Sequence, residues 1–223
     1  MPDKTPQTYT SIKTHLLATT SLALPPSKPL SPSLTPQIAA LSLHPALESA
    51  LHILNHDLPS AHFLVRHMQA PPAVEGMLLH GILHRCEGDM GNARAWFGDV
   101  GDICGGWVPK KRGEGERLEE GVREKCAGPG EGGLLEWVYG EGEGGMELID
   151  GVEAWRKGGR KGGEEGELVE RIRAELGRVL EWCERKFGTQ AWVDAREAWV
   201  KNSEEVQKMS NDMVSGGKGF REF

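Results

Sequence analysis

All eight histidines of this 223-residue chain fall within its first 84 positions, and six of them lie between His52 and His84. Imidazole titrates near neutral pH and is a common nitrogen ligand of zinc, so so dense a cluster points to acid–base chemistry or to metal binding. His80 and His84 stand four apart in a predicted helix, which puts both rings on one face and lets them grip a single divalent ion. His52 and His56 repeat that spacing. His62 offers a third nitrogen and Glu87 or Asp89 a carboxylate, a mixed set suited to zinc, iron or manganese. Without a metal, His80 or His84 would act as acid or base, with Glu87 orienting one of them. The plainer reading is packing, because an imidazole with one hydrogen-bond partner sits well between helices.

Other motifs carry less. The glutamate that helix-borne zinc proteases place between two histidines is missing, since Gly81, Ile82 and Leu83 fill the interval. Gly128, Gly130 and Gly133 have the spacing of a dinucleotide fingerprint but follow Lys125-Cys126-Ala127 rather than an apolar strand. Lys218 lacks the spaced glycine and the following Ser or Thr of a phosphate loop. Cys183 belongs to an apolar helical stripe, Cys104 is expected at the surface, and nothing near it would activate a thiolate. Trp182, Trp192 and Trp199 are expected to fill a core.

The elements that must position the histidines read as helices throughout. Helices are predicted over 46–56, over 57–69 with Asp57 as cap and Pro59 in the first turn, and over 74–86 with Gly88 as the stop. Asp89 caps a fourth that carries Ala93, Trp96 and Phe97. Leu168, Ile172, Leu176, Val179 and Cys183 mark a long fifth that Gly188 ends. Further helices are expected over 146–156, through Trp192 and Trp199, and after an Asn202/Glu205 capping pair. No sustained alternation calls for a sheet. The expected fold is all-α, a compact bundle of helical hairpins. Its domain plan is a Pro/Ser-rich strap (1–36), a His-rich half (37–100), a Gly-rich acidic flexible insert (101–145), a C-terminal half (146–215) and a tail (216–223). The stretch 101–166 holds 20 of the 30 glycines, each costly to order.

Composition bounds the partners. With 26 Lys and Arg against 33 Asp and Glu, the net charge is −7, the wrong sign for neutralising phosphates, so no nucleic-acid partner is expected. Four cysteines without paired short spacing fit reduced thiols in the cytoplasm rather than a disulfide framework. No run approaches the roughly 20 apolar residues of a membrane span, and Leu16–Leu24 lacks the features of a secretory leader, so no membrane partner is expected.

The run His80-Gly81-Ile82-Leu83-His84-Arg85-Cys86-Glu87-Gly88-Asp89, followed by Asn92-Ala93 and Trp96-Phe97, resembles the signature of a poorly characterised family of small helical proteins of bacteria and fungi. Segments 57–62, 182–189 and 213–220 match its fungal members, so the resemblance covers about half the chain. It implies a fungal protein, accessory to secondary metabolism, but brings no established activity. The Glu-Gly-Asp turn also resembles the helical hairpin of tetratricopeptide repeats, without the 34-residue period of a repeat array. Two functions fit. The leading one is a non-catalytic interaction or accessory protein, in which Arg85, Glu87, Asp89 and Asn92 hold the turn together. The alternative is a metal-dependent or histidine acid–base enzyme acting on a small molecule through His62, His80 and His84. The sequence names neither protein partner nor small-molecule ligand.

Overall fold

The computed structural model describes residues 8–130, 132–159 and 164–200. Among them are ten α-helices: α1 (Tyr9–Thr19), α2 (Thr35–Ala40), α3 (Pro45–Leu54), α4 (Leu58–Val65), α5 (Val74–Glu87), α6 (Met90–Cys104), α7 (Glu120–Cys126), α8 (Gly133–Tyr139), α9 (Gly144–Lys157) and α10 (Glu164–Phe187). The described residues contain no strand, only one isolated bridge between Trp107 and Arg117. The protein is all-α. Among the described residues no helix is long and apolar enough to cross a membrane.

Local chemistry sets the boundaries around the histidines. The Nδ1 atom of His44 accepts from the amide of Ala46 at 3.2 Å and caps α3, with Pro45 in the first turn, where its missing amide costs nothing. Asp57 caps α4 through the amide and hydroxyl of Ser60. Gly88, at φ +94°, ends α5 in a conformation that a Cβ would strain. One residue later Asp89 opens α6, accepting the Asn92 amide at 3.1 Å and its side-chain NH2 at 2.7 Å. A helix stop and a helix start thus occupy two consecutive residues, which folds α6 back on α5.

α5 is the central element, buried on nearly every side between α3, α4 and α6. Its approach to α6 depends on Gly81, where a Cβ would fall 2.8 Å from the Phe97 ring and 3.0 Å from the Cβ of Trp96. α10 crosses against α1, α3, α8 and α9, and its apolar stripe of Leu168, Ile172, Leu176, Val179, Leu180, Trp182 and Cys183 is buried. One acid interrupts that stripe. Glu175, 3 % exposed, accepts both Arg85 amino groups, the one from Nη1 at 2.7 Å, and the Tyr139 hydroxyl at 2.5 Å. The bidentate geometry and the third donor are what make a buried charge pair tolerable. A second buried acid, Glu75 of α5, takes the Trp182 indole N–H and the Lys186 ammonium, each at 2.7 Å.

The glycine-rich stretch departs from the flexible insert expected of it. α6 runs on to Cys104, α7 and α8 follow, and Leu134 and Val138 are buried in the common core. Several of its glycines answer a packing need: a Cβ at Gly128 would lie 2.1 Å from the Trp182 indole, so the bare backbone is the surface on which that ring rests. The strap also differs, since its described residues include α1, which Thr8 caps and whose Ile12 and Leu16 are buried. The segment 191–199 is not a helix: it holds one 3-10 turn, Ala195–Ala198, while Trp192 packs edge-on against His44 and Trp199 stacks on His67. Trp182 does fill the core, as expected. The helix expected after Asn202 and the tail 216–223 lie outside the described residues.

Candidate metal centre

Two helices deliver the histidines. His62 stands on α4, His80 and His84 on α5, and the three offer ligand nitrogens that all lie within 4.8 Å of one another. The Nε2 atoms of His62 and His80 are 3.2 Å apart. Two ligands about 2.0–2.1 Å from a tetrahedral zinc are separated by about 3.3–3.4 Å, so this spacing matches the edge of such a site as well as an imidazole–imidazole hydrogen bond. His80 and His84 stack at 4.8 Å between ring centroids, and Trp96 of α6 stacks on His80 at 4.5 Å. His80 is therefore layered with an indole and a second imidazole, and its rotation is fixed by packing.

The electrostatics are lopsided. Burial drives His80 well below the ordinary imidazole range, and His84, His62 and Arg66 push in the same direction while Glu87 opposes them. The ring is held neutral, the form a metal requires. Burial by itself would raise the Glu87 carboxyl, but the facing imidazoles of His62 and His84 overcome it and hold the group well below the usual carboxylate range. Glu87 faces both rings through their Nδ1 atoms, with Oε1 3.6 Å from His62 and Oε2 3.4 Å from His84. These are ion-pair separations, longer than a formed hydrogen bond. Asp89 is farther from His84, at 3.9 Å. The Nδ1 atoms of His80 and His84 are buried without a hydrogen-bond partner, an arrangement costly enough that a native protein has a reason for each case.

The other singled-out residues serve elsewhere. Arg85 points away from the histidines to Glu175, and Asp89 with Asn92 caps α6. His52 and His56 do not form a second pair. α3 ends at Leu54, so His56, at φ +60°, lies past the helix and accepts from Thr20 and Ser21, whereas His52 faces Glu48 and Asp57. Burial pushes the Cys86 and Cys126 thiols up to about 11, which disfavours a thiolate. A cleft of about 720 Å3 lined by Cys104, Arg117, Arg123 and Leu134 contains none of the histidines. Sequence reasoning missed Trp96 as a wall of the site and Glu175 as the partner of Arg85. The second had a signal, an acid inside the apolar stripe of α10.

No protein-family profile, curated protein or solved structure matches the chain.

Proposed function

We propose that the protein binds one divalent transition-metal ion, zinc, iron or manganese, through His62, His80 and His84, and that it is a metal-dependent enzyme acting on a small molecule. The observation that carries this reading is the convergence of three imidazole nitrogens from α4 and α5 within 4.8 Å, with the most buried ring neutral. Three nitrogen ligands leave a fourth position for water or a substrate oxygen, where a bound ion would polarise a carbonyl or lower the pKa of its water. The side chains of His62 and His84 are 15 % and 13 % exposed, so the cluster has an outlet to solvent. On this reading the protein works in the cytoplasm, without nucleic acid, and the resemblance of the run from His80 to Asn92 supports a role in the secondary metabolism of a fungus.

The test is elemental analysis of untagged protein purified without chelator, beside the His80→Ala/His84→Ala double variant. About one equivalent of metal, lost in the folded double variant, is expected. Failure of the wild type to take up zinc, iron or manganese when they are added back overturns the reading. A second reading, a non-catalytic accessory protein, draws on Arg85, Asp89 and Asn92 being spent on the fold. It expects the double variant to lose melting temperature and no ion.

A further inference from the structure

We infer that Glu87 is a positioning residue shared by two metal ligands and is not itself a ligand. The inference rests on the metal-site reading above. It starts from the direction in which the imidazoles face the carboxylate. Each of its oxygens addresses the Nδ1 atom of a different ring, His62 on α4 and His84 on α5, while the opposite nitrogen of His62, Nε2, faces Nε2 of His80. A carboxylate on the Nδ1 side selects the tautomer that carries its proton there, so the lone pair is left on Nε2. For His62 that lone pair points toward His80. The same rule presents Nε2 of His84.

The three rings are thus oriented by two devices. Glu87 sets His62 and His84, and stacking against Trp96 sets His80. The Nδ1 atom of His84 has no hydrogen-bond partner in the present geometry. Shortening the 3.4 and 3.6 Å separations to hydrogen bonds is the adjustment that metal loading makes, because a cation on Nε2 makes the Nδ1 proton a stronger donor. The carboxylate then balances part of the metal charge from outside the coordination sphere. The site is left with three imidazole nitrogens and an open fourth position, as a site of reaction requires and a closed structural site does not.

The experiment compares the full chain with Glu87→Gln and Glu87→Ala, using zinc and cobalt(II) alone as probes. For Glu87→Gln we expect one equivalent of metal still bound, a 10- to 100-fold weaker Kd in chelator competition, and an unchanged cobalt(II) visible spectrum. In Glu87→Ala the Nδ1 protons of His62 and His84, seen by long-range 1H–15N correlation in the zinc-loaded wild type, are expected to exchange rapidly. A changed cobalt spectrum or lost stoichiometry in Glu87→Gln would make Glu87 a ligand and overturn the inference. So would an unchanged Kd in both variants. Far-UV circular dichroism of the metal-free variants separates misfolding from loss of affinity, and a misfolded Glu87→Ala leaves the glutamine variant to decide. A wild type that binds no cobalt sinks the metal site itself, whereas a wild type that loads, with the same Kd in both Glu87 variants, sinks only the role of Glu87.

Discussion

Arg85 and His84 are adjacent in sequence yet belong to opposite kinds of site. On the Arg85 side of α5, the guanidinium and Glu175 are both almost fully buried, both amino groups are held bidentately by the carboxylate, Tyr139 donates to it as well, and only Nε of the guanidinium has no hydrogen-bond partner. On the His84 side, two imidazole Nδ1 atoms have no hydrogen-bond partner, a carboxylate stands between two rings at ion-pair separations, and two imidazole nitrogens lie 3.2 Å apart. A buried charge pair held by bidentate hydrogen bonds fastens a fold, whereas imidazole nitrogens that converge without hydrogen-bond partners are a place for something to bind. One helix carries both because adjacent residues point about 100° apart around its axis.

The contrast can be broken most forcefully on the closed side. Replacing Arg85 by Met leaves Glu175 as an uncompensated buried charge and is expected to cost about 3–5 kcal/mol in urea unfolding. The Arg85→Met/Glu175→Met pair should recover most of that loss, and a pair as unstable as the single variant would refute the assignment. On the open side the effect should come from the ligand. Zinc at 100 times its Kd is expected to stabilise the wild type by about 2.7 kcal/mol and the His80→Ala/His84→Ala variant not at all. Equal stabilisation of the two would place the ion elsewhere.

Gly81→Ala tests whether the two sides share one packing constraint. Its new methyl meets the Phe97 ring and the Cβ of Trp96, so a loss of about 1–3 kcal/mol is expected, together with weaker metal binding because Trp96 backs His80. Unchanged metal affinity in a destabilised variant would separate hairpin packing from the site. The smallest effect concerns histidines used only for structure. Burial first, then Lys186, lowers His44 to about 3, and burial lowers His56 to about 4. Above about pH 6.5 both are neutral in the folded and unfolded chain; below it the unfolded chain takes up protons that the folded one refuses, so stability falls with pH. Each group adds a slope of at most about 1.4 kcal/mol per pH unit until its folded value is reached. In metal-free protein, His44→Asn, which keeps a capping acceptor, should flatten the slope between pH 6 and 4.

The parts of the molecule legible in the sequence are those whose signal is local. The α5–α6 turn follows from Gly88 and Asp89, α4 from Asp57 and Pro59, and α10 from its three-and-four spacing. α7 and α8, at seven residues each, are too short to stand alone and exist through tertiary contacts that no window of sequence displays. Trp192 and Trp199 had helical spacing, yet each pairs with a histidine from the first half of the chain, which pins that segment as a strap. For the site, the His80/His84 pair was readable because both residues lie inside one helix. The matching His52/His56 pair misled because α3 stops between them. The arrival of His62, and the choice of Glu87 over Asp89, depend on how α4 docks on α5.

The partner of Arg85 lies 90 residues away along the chain. On a ribosome that adds about 5–20 residues per second, the α5–α6 hairpin, which ends at Cys104, is complete roughly 4–14 s before Glu175 is made. The hairpin closes early because its contacts are local, and throughout that interval it carries a cation on a surface destined for the interior. The histidine side of α5 faces no such delay, since α4 has already been synthesised. The nascent protein thus assembles its candidate centre first and its buried charge pair last, and the interval between them is when the growing chain most needs shielding from other chains.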